Sequence, residues 1–320
     1  VYSIDEYFID ITSYTKLYKK TPRQLAQMLL DAVLEATHIY ATVGIGTNLF
    51  LAKIALDILA KHASDFMGYL DENLFKEHIW HHQPITDIWQ IGSGIANRLR
   101  KFGAFDLHGI TQVPEYKLYK EFGVNAELLI DHAWGRESCT IADIHAYRPS
   151  KHSLSQSQIL LRNYTADEAR LPMREMVESL VLELLQLKAV TKCIHVHIGY
   201  AAEDLKSTGG SRTLAHYTDS FQELCPAVLS LFDKYKRPHE LIRRIAVSFE
   251  ELVNKSAVPT EMDLFSDALD ETEEKEAHIQ QAMLNIKGRF GKNAILRASS
   301  LQEEGTMQFR NTLVGGHNGE

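Results

Sequence analysis

Three short stretches of this sequence hold residue types that could do phosphate chemistry. The first is Ser3-Ile4-Asp5-Glu6, two adjacent carboxylates in a segment rich in aromatic and β-branched residues. On a regular strand Asp5 and Glu6 would point to opposite faces. Both reach one cation only at a bend or hairpin tip, with Asp10–Tyr14 as the returning strand. Carboxylates held together repel, and hard oxygen donors select Mg²⁺, which keeps waters and substrate phosphates as its other ligands. An isolated acidic dipeptide is more often a solvated turn. The second stretch is Gly92-Ser93-Gly94, between two short helical patterns, with Arg98, Arg100 and Lys101 close behind. A turn of that kind can aim backbone N–H groups at a phosphate oxygen, although an ordinary glycine helix–helix turn is written in the same letters. The third is Arg243-Arg244 at the head of the apolar run Ile245–Phe249. Period two places one arginine on each face, so a given surface offers one of them to a phosphate.

Other arrangements carry less. His195 and His197 share one face of a strand, and His81-His82 sits in a loop with no partner at metal-ligand spacing. No Ser/His/Asp or Cys/His arrangement follows from spacing, and no glycine-rich phosphate loop follows a strand.

The elements that must position these residues belong to an α+β chain. At 320 residues, 45% hydrophobic and 24% charged, the sequence is long enough for two or three domains. Residues 1–66 read as strand (Val1–Ile11), helix from Thr21-Pro22, strand (His38–Gly44) and a second helix opened by Asn48. Residues 67–140 read as short helices punctuated by glycine, and 141–152 have little periodicity and read as a linker. Residues 153–254 form a second α+β unit, with strands near Gln156–Leu161, Lys192–Tyr200 and Arg243–Phe249. Helices are expected at Asp167–Leu187 and Phe221–Tyr235, with a turn at Gly209-Gly210. The last segment, 255–320, carries one helix (Asp270–Phe290) and an acidic run that reads as solvated and mobile.

Three dispersed cysteines exclude a disulfide scaffold and a thiolate zinc module, and fit a reducing cytoplasm. No apolar run approaches the ~18–20 residues of a membrane span. The net charge is −8, but half of it lies in residues 255–320, where 7 basic residues face 11 acidic ones. The rest is nearly neutral, so charge balance neither supports nor excludes a nucleic-acid partner. The chain opens at Val1 in what reads as mid-strand, and is expected to be part of something longer.

Taken together the pieces resemble the Y-family DNA polymerases of the DinB/UmuC type, closest to the UmuC-like UV-damage repair proteins of Gram-positive bacteria. Ser3–Asp10 is similar to the family's metal-binding palm hairpin, and Val43–Lys53 to its second palm motif. Ile91–Leu99 is similar to the helix-hairpin-helix of the thumb, and 153–253 to the little finger, with Arg243-Arg244-Ile245 in its last strand. The order of four motifs along the chain is more specific than any one of them. The helix after Val43–Gly46 runs one residue longer than in relatives, and the family's first palm strand, with its aspartate, and the fingers find no counterpart after Val1.

The resemblance implies an error-prone translesion polymerase of DNA repair and the SOS response, acting by two-metal nucleotidyl transfer with two Mg²⁺ ions. It implies primer–template DNA, deoxynucleoside triphosphates and the bacterial sliding clamp as partners, and a cytoplasmic location. Asp5 and Glu6 would be the catalytic and metal-binding carboxylates. Lys61 would contact the triphosphate, with Lys53 as second candidate. Gly92, Ser93, Gly94, Arg98, Arg243 and Arg244 would grip DNA phosphates, and Glu261-Met262-Asp263-Leu264-Phe265 would dock on the clamp. Without the first aspartate and the fingers, residues 1–320 alone are expected to be inactive. A non-catalytic damaged-DNA-binding protein is the alternative. A helix-hairpin-helix glycosylase, with Asp106 as its only candidate acid, leaves Ser3–Asp10 and 153–253 unexplained.

Overall fold

The computed structural model describes residues 1–148, 152–258, 267–314 and 317–318, in two units, Val1–Arg148 and Pro149–Glu320. The clamp-docking residues Glu261, Met262, Leu264 and Phe265 lie outside the described residues.

The first unit corrects the sequence reading at its start. Residues 1–11 form no strand, and Asp10–Tyr14 form no returning strand. Tyr2 N and Ser3 N donate to Glu6 O (2.8 and 3.2 Å), closing a tight turn. Helix α1 (Thr12–Tyr18) follows and ends at Lys19 in the left-handed region. A strand needs a ladder partner for its backbone groups. Residues 1–11 make no ladder with the sheet of this unit, in which β1 (Val43–Gly46) and β2 (Met67–Leu70) pair in parallel only with each other. Helix α2 (Pro22–Thr37) starts where the sequence places it, with a Thr21/Gln24 capping box and Pro22 at its first position. Of its apolar stripe, Leu25 is buried, while Leu29 and Val33 stay about two-fifths exposed (41% and 40%).

Helix α3 (Leu49–Ile54) is capped by Asn48, whose Oδ1 accepts from Leu51 N at 2.8 Å. It lies so close on β1 that a Cβ at Gly44 or Gly46 would run into the backbone around Ala52, which accounts for the glycines of Val43-Gly44-Ile45-Gly46. It continues as a π turn (Ala55–Leu59) and a 3₁₀ turn (Ala60–His62). A π turn closes one more residue into each hydrogen-bonded ring than an α turn, and so is a local form that can absorb an extra residue. Helices α4 (Glu72–His78), α5 (Ser93–Arg100), α6 (Leu107–Thr111), α7 (Glu115–Phe122) and α8 (Asn125–Ala133) follow. Phe50, Leu51 and Ile54 of α3 share one buried cluster with Phe75, Leu99, Leu107, Leu118 and Ala126. The segments expected as palm and thumb therefore rest on a common core. Residues 141–146, read as linker, form helix α9 (Ile141–Ala146); its signal is the Thr140/Asp143 capping box.

In the second unit β3 (Leu154–Tyr164), α10 (Ala166–Leu187), β4 (Ala189–Tyr200), β5 (Thr208–Thr218), α11 (Phe221–Tyr235), β6 (Ile242–Glu250) and β7 (Val253–Asn254) follow in order. The antiparallel sheet runs β3-β6-β4-β5, with β7 paired to β4. Ile194, Val196, Ile198, Ile245, Val247 and Phe249 pack against Met173, Val177, Leu224 and Phe232 of α10 and α11. Gly209-Gly210 is not the expected turn. Both lie within β5, opposite His197 and Val196, and a Cβ at Gly210 would strike the Tyr235 ring.

The end of the chain also differs from expectation. Helix α12 (Asp267–Phe290) buries Gln280 and Met283, and α13 (Met307–Arg310) buries Met307. Short strands β8 (Leu313–Val314) and β9 (His317–Asn318) pair beyond it. Buried Glu175 of α10 accepts from Thr306 N and Met307 N (2.8 and 2.9 Å), and buried Glu178 pairs with Arg297. These carboxylates fasten 297–307, beyond the acidic run, to the unit. No described helix is long and apolar enough to cross a membrane.

Candidate active site and nucleic-acid interface

The turn at residues 2–6 holds Asp5 exposed, with Ser3 Oγ donating to Asp5 Oδ1 at 2.9 Å. Glu6 is drawn inward. Its Oε1 accepts from Lys53 Nζ at 2.7 Å, and Lys53 also donates to Asp57 at 3.2 Å. Asp57 in turn accepts from Lys61 at 3.0 Å, so the charges alternate Glu6, Lys53, Asp57, Lys61 along one helix side. Burial alone would push the Lys53 ammonium pKa down; Glu6 and Asp57 outweigh it and hold the group above its ordinary value. Tyr2 lies under Lys53 Nζ, 5.4 Å from ring centre, and its hydroxyl accepts from Trp89 Nε1 at 2.8 Å.

The sequence reading put Lys61 ahead of Lys53. The structure places buried Lys53 against the carboxylate and leaves the Lys61 side chain 54% exposed. Two residues were missed. Asp57 was signalled by the i, i+4 spacing of Lys53, Asp57 and Lys61. Asp10 lines the same cleft of about 410 Å³ as Glu6, Asn48 and Lys53. Its carboxylate accepts from Thr12, which lowers its pKa. Adjacent Asp5 and Glu6 offer the hard oxygens that suit Mg²⁺. With Asp10 they do not close into a three-ligand group, the one such group among the described residues lying elsewhere.

Gly92 caps α5, and Gly92, Ser93 and Gly94 are all exposed. A Cβ at either glycine would meet nothing, and neither has a positive φ, so packing within the chain does not demand glycine there. Arg98 is engaged within the chain. It donates to Glu121 O at 3.2 Å and covers the Phe122 ring at 4.4 Å. Arg100 is exposed and donates to Asn97.

Arg243 and Arg244 are both exposed, against the expected alternation. Tyr200 pairs with Ile242 and Gly199 with Arg244, so Arg243 is the extra residue of a bulge. A bulge lets neighbouring side chains share a surface that regular period two would split. On the sheet face away from the helices, Arg244 adjoins Gly199, with His197 and His195 further along β4. Burial first, then Arg244 and His195, lower the His197 pKa.

Profiles of the impB/mucB/samB family match residues 1–57, and its C-terminal domain matches 151–264, together more than half the chain. The chain belongs to this family, the DinB/UmuC type of Y-family DNA polymerases. By family it is thus a DNA-directed DNA polymerase. A putative UV-damage repair protein UvrX of Bacillus subtilis is 28% identical, over 99% of this chain and 73% of the relative. DNA polymerase IV 2 of the same organism is 29% identical over 99% and 74%. DNA polymerase IV of Moorella thermoacetica is 28% identical over 96% and 73%. A chimeric Y-family DNA polymerase of known structure shares the fold at a TM-score of 0.57, with 22% identity, over 79% of this chain and 70% of its own. The mixed helix–sheet class expected from the sequence agrees with that likeness.

Proposed function

We propose that this family member serves template-directed nucleotidyl transfer past damaged DNA, with Asp5 and Glu6 as cation-holding carboxylates. The observation that carries this reading is the Glu6–Lys53 ion pair beside Asp5, inside the family-matched segment 1–57. Divalent magnesium, when bound there, supplies activation of the primer 3′-hydroxyl and charge neutralisation on the nucleotide phosphates. The chain's own residues do the positioning. Lys53 fixes the Glu6 carboxylate, and Asp57 keeps Lys53 charged. Lys61 stands exposed one turn on, available to the departing pyrophosphate. Asp5 and Glu6 are neighbours on one turn and serve one cation, whereas a two-metal site holds its ions about 3.5–4 Å apart between independent carboxylates. The polypeptide Val1–Glu320 is accordingly proposed not to extend a primer by itself.

DNA would be held through phosphates at Gly92–Gly94, where open glycines let a backbone approach, and at Arg243 and Arg244, which the bulge brings to one surface. Arg98, committed to Phe122, drops out of that grip. Clamp docking by Glu261, Met262, Leu264 and Phe265 rests on the sequence alone, two apolar anchors among acidic residues suiting a preformed groove.

The test is primer extension with Mg²⁺ by the whole gene product, beside residues 1–320. Incorporation is expected from the whole product, lost in Asp5→Ala, and absent from the 320-residue polypeptide. Activity in Asp5→Ala would reduce Ser3–Glu6 to a turn. Arg244→Ala should weaken duplex binding evenly across sequences and lower the salt slope by about one unit. A wild-type chain that binds DNA but never incorporates nucleotide would favour the non-catalytic reading.

A further inference from the structure

We propose that His81, Asp106 and His108 form a binding site for one divalent transition cation of the zinc type, separate from the carboxylates at Asp5 and Glu6. The sequence reading found no partner for His81 at metal spacing, because its partners lie 25 residues further on. The fold brings them together. His81 Nδ1 stands 3.1 Å from Asp106 Oδ2. The His81 and His108 rings are 4.8 Å apart, and one donor atom from each of the three residues lies within 4.8 Å of the others. Around a tetrahedral ion with bonds of about 2.0 Å, neighbouring donors stand roughly 3.3 Å apart. One pair already meets that spacing. Turning the exposed His81 side chain, which is 68% accessible, together with the partly exposed His108 ring can close the other two.

The surroundings hold the set in place. His108 N donates to Trp80 O at 3.0 Å, so the two ligand segments are pinned by backbone beside the site. Asp106 Oδ1 accepts from Gly109 N at 2.6 Å, which orients the carboxylate and leaves Oδ2 for the ion. The His108 ring also packs edge-on against Trp80, 5.0 Å between centres. Two imidazoles and a carboxylate select zinc, cobalt(II) or nickel(II) over magnesium and calcium, and water takes the open position. A plain His81–Asp106 ion pair would need no third donor. The bound ion would tie together the two ends of the segment that contains Gly92-Ser93-Gly94, since His81 precedes that turn and Asp106 follows it.

The probe is cobalt(II) added to the metal-free 320-residue chain, followed by visible absorption and equilibrium dialysis. One tightly bound equivalent with the intense bands of tetrahedral cobalt is expected, and zinc should displace it. His81→Ala/His108→Ala should weaken that affinity by at least about 100-fold. His62→Ala, an exposed histidine elsewhere, should leave it unchanged. Asp106→Asn keeps a capping oxygen for Gly109 while removing the anionic ligand, so it should lower affinity without unfolding α6 even if the double variant folds poorly. Absence of a stoichiometric site, an octahedral spectrum, or equal binding by wild type and Asp106→Asn would overturn the proposal.

Discussion

The two units handle apolar surface in opposite ways. In Pro149–Glu320 a five-stranded sheet takes two long helices on one face, and its inward residues Ile194, Val196, Ile198, Val247 and Phe249 are all fully buried. In Val1–Arg148 the sheet has two strands, and between Val1 and Leu49 only Leu25 and Ala26 are buried. Tyr7, Ile9, Leu17, Ile39 and Tyr40 are each more than half exposed. The carboxylates at Asp5 and Glu6 therefore sit on a thinly covered part of the first unit, held by Ser3 Oγ, by Lys53 and by the backbone turn that closes on Glu6 O. Stability and candidate chemistry lie in different places. Segments with few buried contacts open at low free-energy cost, whereas core strands open only with the whole.

The largest effect should come from a cavity in the second unit. Phe249→Ala is expected to cost about 3–5 kcal/mol, read by denaturant unfolding, while Leu17→Ala in the exposed α1 should stay within about 0.5 kcal/mol. Equal costs would erase the contrast between the units. Next is Glu175→Ala, which strips two buried donors, Thr306 N and Met307 N, of their acceptor and leaves Thr306 Oγ1 only Gln158 Oε1. We expect a loss of about 1–3 kcal/mol and new protease cleavage within 291–310. Unchanged protection there would mean that the end of the chain is held by apolar contacts alone.

The smallest effect is a pH dependence that should separate the units. His132 is buried, stacked 4.0 Å from Phe50 and bonded to Glu137 at 3.0 Å. Burial pushes its pKa below the ordinary histidine value, outweighing the carboxylates of Glu137 and Asp131. The native state thus binds fewer protons than the unfolded chain, whose histidine titrates near about 6.5. Its stabilisation is complete above that value and is lost as pH falls through it towards the folded pKa. Hydrogen-exchange protection factors in residues 43–148, corrected for the intrinsic exchange rate at each pH, should fall between about pH 7.5 and 5.5, and His132→Gln should flatten the change. His197 gives the second unit a weaker slope of the same sign, since it is only half-buried. A steeper slope in the second unit would reverse the assignment.

Local rules made much of this chain legible. Thr21-Pro22 with Gln24 begins α2 because the cap and the first helical positions satisfy each other within four residues. Asn48 opens α3 in the same way, and the inward alternation of β4 and β6 follows from period two. The motif order was enough to point to the family. What the sequence alone could not settle involved partners distant along the chain. Asp5 and Glu6 were expected on a hairpin, but no strand was there to pair with. Lys53 meets Glu6 because a helix starting 43 residues later lies over that turn. Arg243 and Arg244 came to one surface through a bulge against β4, which no spacing within β6 encodes. His81 found Asp106 and His108 only because α6 folds back beside Trp80. The physical division is one of range. Caps and alternation depend on neighbours within a turn or two, so the sequence determines them by itself. The ion pairs, the bulge and the histidine cluster depend on which distant segments meet, and that is decided by how the buried clusters of each unit pack.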